Sequence, residues 1–139
     1  MARILIIDDD LMLTKLLNDH FTQMGHEVFS ACFAAEGLQM VLQHQPDLIM
    51  LDLILPDSTG YQVCGKLRQN WRTHSIPIIM MSSMPRLPSQ HAIERLMGAS
   101  ASMVKPLNLI ETGDCVNTLL ERPIPLAKPP VIPRQEEVA

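Results

Sequence analysis

Aromatic residues are scarce in this chain: three Phe, one Tyr and one Trp among 139 residues. Aliphatic side chains and ten methionines must therefore fill the core, the thioethers adapting to irregular gaps. No apolar run reaches the roughly 20 residues of a membrane span, and the amino terminus enters an apolar run without a signal-peptide pattern. A cytoplasmic protein with no membrane partner is expected. Cys32, Cys64 and Cys115 are odd in number, far apart and lack metal-ligand spacing, which excludes a disulfide framework and favours reduced, mostly buried thiols. Neither sign of charge dominates: the net charge is −4, which argues against direct contact with nucleic acid. No internal repeat is evident, and the length suits a single domain with a real core.

What is present is a series of short apolar runs alternating with helical patterns. The runs Ile4–Ile7, Val28–Cys32, Leu48–Leu51, Ile76–Met81 and Ser102–Val104 read as five strands. Between them, Leu13, Leu16, Leu17, Phe21 and Met24 recur at helical spacing before Gly25. Ala35, Leu38, Val41 and Leu42 mark a second helix that ends before Pro46, and Cys64, Leu67 and Trp71 one face of a third, with Trp71 partly buried at its end. A fourth helix is predicted from Pro88, a residue suited to a first helical turn, to Gly98, and a fifth from Leu109 to Leu120. Met12, Met24, Met40, Met97 and Met103 are read as mostly core filling, and the five histidines as surface or packing residues.

Five such units imply an α/β fold, a (βα)5 doubly wound parallel sheet. The common strand order is 2-1-3-4-5, the flavodoxin-like arrangement, with its ligand crevice at the carboxyl ends of strands one and three. Asp8-Asp9-Asp10 follows strand one, and Asp52 follows strand three. Ser82 closes strand four, and Lys105-Pro106 follows strand five. Topology and charge thus select the same rim. From about Arg122 the composition changes: five of the eleven prolines lie between Pro123 and Pro133. A folded domain over 1–122 and a Pro-rich, disordered tail or linker over 123–139 are expected.

Carboxylates crowded on one rim repel one another. A hard divalent cation relieves that repulsion, and an oxygen donor set with water at the remaining positions suits Mg²⁺. Asp10 reads instead as the cap of the first helix. A carboxylate beside a bound cation can also attack phosphorus to form an acyl phosphate, and Asp52, alone at the end of a buried strand, is the candidate. Lys105 and Ser82 offer an ammonium and a hydroxyl to neutralise and orient the transferred group.

These residues resemble the response-regulator receiver domain of two-component signalling. The carriers are Ile4-Leu5-Ile6-Ile7-Asp8-Asp9, the stretch Asp47 to Asp57 with Gly60, Pro77-Ile78-Ile79-Met80-Met81-Ser82-Ser83, Gly98-Ala99 and Val104-Lys105-Pro106. The resemblance covers residues 2 to 121. It implies that Asp52 accepts a phosphoryl group from a histidine kinase or histidine phosphotransfer protein. It also implies that Asp9 and Asp52 ligate Mg²⁺ directly, Asp8 through water, and Ile54 through its backbone carbonyl. Ser82 and Lys105 would contact the phosphoryl oxygens, and Lys105-Pro106 would be a cis peptide bond. The implied protein is a phosphorylation-dependent switch rather than a turnover enzyme. Its output would pass to a downstream protein or a C-terminal output domain, and it would be a monomer or a phosphorylation-dependent dimer.

The sequence departs from the family in two places. Ser102 stands where the family usually has Tyr or Phe, so the readout is expected to take another route, such as the loop Ser83 to Pro88. Ile54 and Met84 occupy the positions that flank the attacking water, and neither can orient it, so slow self-dephosphorylation is expected. A Mg²⁺-dependent phosphatase would need a second carboxylate where Ile54 stands. A flavin-binding protein would need a Gly-rich phosphate loop where the three aspartates stand. The remaining alternative is a receiver-like interaction module that works without phosphorylation.

Overall fold

Each of the five apolar runs is a strand of a single parallel sheet, and the three central strands are buried from end to end apart from Arg3 at the first residue of β1. The computed structural model describes residues 1–84 and 88–121. In chain order the elements are β1 (Arg3–Ile7), α1 (Leu11–Gln23), β2 (Glu27–Ala31), α2 (Ala34–His44) and β3 (Leu48–Asp52). They continue with α3 (Gly60–Gln69), β4 (Ile78–Ser82), α4 (Pro88–Leu96), β5 (Ala101–Val104) and α5 (Leu109–Glu121). The strand order is β2-β1-β3-β4-β5, the common order expected for five such units.

Because successive side chains in a strand point to opposite faces, the strands supply two cores. Leu5, Ile7, Ile49, Leu51, Ile78 and Met80 meet Val41 of α2 and Val63, Cys64 and Leu67 of α3 on one face. Ile4, Ile6, Leu48, Met50, Ile79 and Met81 meet Leu17 and Phe21 of α1 and Val116 and Leu119 of α5 on the other. Burying each of these side chains contributes about 1.5–3 kcal/mol. Helices on both faces explain why the strands read as continuous apolar runs rather than as alternating ones.

Local signals set the helix boundaries. Asp10 caps α1, its carboxylate accepting from the Leu13 amide at 3.1 Å, and Thr59 caps α3. The cap of α2 comes from elsewhere in the chain: Asp57, in the loop after β3, accepts from the amides of Ala34 and Ala35 at 2.8 and 3.0 Å. Gly60 sits where a Cβ would lie 2.6 Å from Met80 Sδ and 2.8 Å from the Asp52 carbonyl oxygen. Only a hydrogen fits between α3 and the end of β3 there.

Four details differ from the sequence reading. The buried face of α1 is Thr14, Leu17 and Phe21, while Leu16 is half-exposed and Met12 lies in solvent. Leu42 on α2 is likewise half-exposed, and Met97 is exposed. Trp71 lies beyond the end of α3 and is exposed, with the Arg72 guanidinium 5.4 Å from its ring centre. The loop suggested as an alternative route falls partly outside the described residues, as does the whole segment 122–139.

Candidate functional site

Parallel pairing brings the ends of β1, β3, β4 and the segment after β5 to one rim. The register pairs Ile7 with Leu51, Asp52 with Met81, and Ser82 with Val104. Asp8 and Lys105 extend the ladder by one residue each: the Asp8 amide donates to the Ala31 carbonyl at 3.0 Å and that of Lys105 to the Ser82 carbonyl at 2.7 Å. The Lys105-Pro106 peptide is cis, as expected from the resemblance.

Four charged side chains converge there. Carboxylate oxygens of Asp8, Asp9 and Asp52 lie within 4.8 Å of one another. Lys105 Nζ is 2.8 Å from Asp8 Oδ2 and 3.4 Å from Asp52 Oδ2, so one ammonium bridges two buried carboxylates. Asp9 is exposed and Asp8 buried. Asp8 Oδ1 also accepts from the Asp10 amide, and Asp52 Oδ1 from the Ile54 amide at 3.4 Å. Ser82 Oγ, on the next strand, accepts from the Met84 amide at 3.1 Å.

Burial, then the Asp8 charge beside it, pushes the Asp52 carboxyl up from 3.8 to about 6, against the pull of Lys105 and the Ile54 amide. For Lys105, burial would lower the ammonium pKa, but the hydrogen bond and charge of Asp8 and the charge of Asp52 outweigh it and raise the group. These opposite demands describe a site with an excess of negative charge enclosed by apolar strands.

An open cleft of about 370 Å³ adjoins Asp52 and is lined also by Ile54, Tyr61, Ser82, Met84, Gln90 and Lys105. The sequence points to all of these except Tyr61 and Gln90, which the folding of α3 and α4 brings to the cleft. Asp57 was also missed as a cap; a lone acid in a Pro-containing loop gives no sign that the helix it caps lies more than 20 residues earlier.

The donor set suits a hard divalent cation. Three carboxylates could supply oxygen ligands, the exposure of Asp9 leaves one side open to water, and the Ile54 carbonyl belongs to the adjoining loop. The acidic groups and the lysine thus lie at the topological switch point of a doubly wound sheet, the place where this class of fold binds its ligands. Residues 4–116 match the response regulator receiver domain family, and the chain belongs to it.

RpaA of Synechocystis sp., a DNA-binding dual master transcriptional regulator, is 38% identical over 123 residues, covering 88% of this chain and 50% of that protein. The transcriptional regulatory protein KdpE of Mycobacterium tuberculosis is 35% identical over 112 residues, covering 80% and 47% respectively. A solved two-component response regulator from Clostridium difficile superposes with a TM-score of 0.80 at 27% identity, covering 88% of this chain and 98% of that one. The chain spans about half the length of the curated relatives it matches. It is a receiver domain of phosphorylation-dependent two-component signalling. No described helix is long and apolar enough to cross a membrane.

Proposed function

We propose that Asp52 is the phosphoacceptor, with Ser82 and Lys105 contacting the phosphoryl oxygens and Asp8, Asp9, Asp52 and the Ile54 carbonyl holding Mg²⁺. The observation that carries this reading is the single ammonium of Lys105 shared by Asp8 and Asp52, with a third carboxylate beside them. One cation does not neutralise that cluster, and a second is needed before Asp52 can approach an anionic donor. When bound, Mg²⁺ neutralises charge on the transferred group. In the step itself, a carboxylate oxygen of Asp52 forms the new bond to phosphorus as the donor's phosphorus–nitrogen bond breaks, and the imidazole nitrogen that leaves takes up a proton. Lys105 then keeps its charge against the phosphoryl oxygens, and the Ser82 hydroxyl donates to one of them.

The donor in this reading is a histidine kinase or a histidine phosphotransfer protein. The output passes to a downstream protein or a C-terminal output domain, through a monomer or a phosphorylation-dependent dimer. Residues 1–122 form the receiver, and 123–139 a tail or linker. The test is intact mass after incubation with a small phosphodonor, with and without Mg²⁺, on wild type and on Asp52→Asn. The expected result is one phosphoryl addition that requires Mg²⁺ and is absent from the variant. No addition under conditions that label another receiver would overturn the proposal and favour an interaction module that works unphosphorylated.

A further inference from the structure

The fold treats the ten methionines unequally. Met50, Met80 and Met81 are buried in the sheet, and Met24, Met40 and Met103 pack against the two cores. Met84 is 68% exposed and lines the cleft with Asp52, Ile54, Ser82 and Lys105. Met1, Met12 and Met97 are exposed as well, but among the described residues that line the cleft Met84 is the one methionine. A thioether in that position can be reached by a small oxidant without any unfolding. Oxidation would replace an apolar group beside Asp52 with a polar one.

The thiols respond differently. Peroxide attacks the thiolate, and burial pushes the Cys64 thiol up to about 11 and raises that of Cys115. Cys32 is partly exposed, but it follows β2 and is not among the residues that line the cleft. A change of chemistry inside the cleft therefore falls to Met84.

Met84 touches the site in two separable ways. Its backbone amide donates to Ser82 Oγ at 3.1 Å, and that bond needs nothing from the side chain. The side chain itself is a wall of the cleft, as is that of Ile54. Neither wall has an atom that holds a water firmly, because a thioether sulfur is only a weak acceptor. A sulfoxide oxygen is a strong one. Oxidation would thus leave Ser82 in place while giving water a fixed position beside the phosphoryl group.

We propose that Met84 is a redox modification site of the cleft, where conversion of its thioether to the sulfoxide by a peroxide shortens the life of the acyl phosphate. This rests on the reading of Asp52 as phosphoacceptor. In the modification the oxygen–oxygen bond of the peroxide breaks and one oxygen bonds to sulfur. The sulfur is oxidised by two electrons, and hydrogen peroxide is reduced to water. In the hydrolysis a water oxygen, positioned by the sulfoxide oxygen, bonds to phosphorus as the bond from phosphorus to the Asp52 oxygen breaks. The carboxylate is regenerated, inorganic phosphate leaves, and the proton of the water passes to solvent. Reduction of the sulfoxide by a methionine sulfoxide reductase reverses the modification.

The test uses wild type, Cys32→Ser, Met84→Leu and Met84→Gln. Each is treated with hydrogen peroxide or left untreated, freed of oxidant, and labelled with phosphoramidate and Mg²⁺. Loss of phosphate is followed by intact mass, and added oxygen is located by peptide mass. One neutral hydrogen bond to the attacking water corresponds to about two- to tenfold in rate. Oxidised wild type and oxidised Cys32→Ser should lose phosphate faster than their untreated forms by that factor, and the reductase should restore the slow rate. Met84→Leu should lose phosphate at one rate with or without peroxide. Met84→Gln carries an amide oxygen in the cleft, so without peroxide it should lose phosphate faster than Met84→Leu. The inference fails if wild type oxidised at Met84 keeps its phosphate as long as the untreated protein, or if Met84→Leu responds to peroxide as wild type does. It fails equally if Met84 resists peroxide while the buried Met50, Met80 and Met81 are oxidised. Absence of any phosphoryl addition to untreated wild type would instead overturn the reading of Asp52, on which this inference stands.

Discussion

Lys105→Met removes the one ammonium that bridges Asp8 and Asp52, while keeping a side chain of similar length. At an effective dielectric of about 20, the pair 3.4 Å apart interacts by about 5 kcal/mol. Water at the open rim and the relieved cost of burying the ammonium reduce the net effect to about 1.5–3 kcal/mol. The Asp52 carboxyl, already raised to about 6, should then rise by about one to two further pH units. The sign follows from proton binding. An acid whose folded pKa lies above its unfolded value holds its proton longer in the folded state, so stability falls as pH rises between the two values and is level above the folded one. In wild type that fall ends near pH 6. In Lys105→Met it continues to about pH 7–8. Urea unfolding in EDTA should show the variant destabilised by about 1.5–3 kcal/mol more at pH 8 than at pH 5. Excess Mg²⁺ should narrow that gap by supplying the missing positive charge. An equal stability difference at both pH values would refute the charge balance assigned to the site.

Asp57→Ala should lower the melting temperature at neutral pH by stripping the acceptor from the amides of Ala34 and Ala35. Those two backbone hydrogen bonds hold the Asp57 carboxyl below its usual 3.8, so its stabilisation is present at neutral pH and disappears as pH falls through that lowered value; melting temperatures of wild type and variant should converge in acid, and a difference that persists there would show that the cap does not act through charge. Ile54→Asn combined with Met84→Glu should speed loss of the phosphoryl group by about tenfold or more, since both apolar side chains line the cleft where water must approach; equal lifetimes by intact mass would refute slow self-dephosphorylation.

The strands and their order were legible because each central strand is enclosed on both faces and therefore carries an uninterrupted apolar run. The acidic rim was legible because a parallel sheet sends every strand's carboxyl end to the same side, which brings Asp8, Asp52, Ser82 and Lys105 together from across the chain. Asp10 as a cap was readable because capping is a contact over three residues. The face of α1 was less so: Leu16 and Leu17 are equally apolar, and the face that α1 packs on the sheet buries Leu17 and leaves Leu16 half-exposed.

The chain by itself therefore determined the alternation of elements, the two-faced core and the composition of the rim, all of which follow from periodicity and from the geometry of a parallel sheet. Tertiary structure alone decided that Asp57 caps a helix far upstream, that Arg68 gathers the carbonyls of Gly98, His74 and Ile76, and that Glu94 is the buried side chain of α4. Each of these is a polar side chain whose partner is set by how elements pack, and hydrogen-bonding groups distant in sequence leave no periodic trace. A buried carboxylate reads in sequence like any exposed one until the fold encloses it.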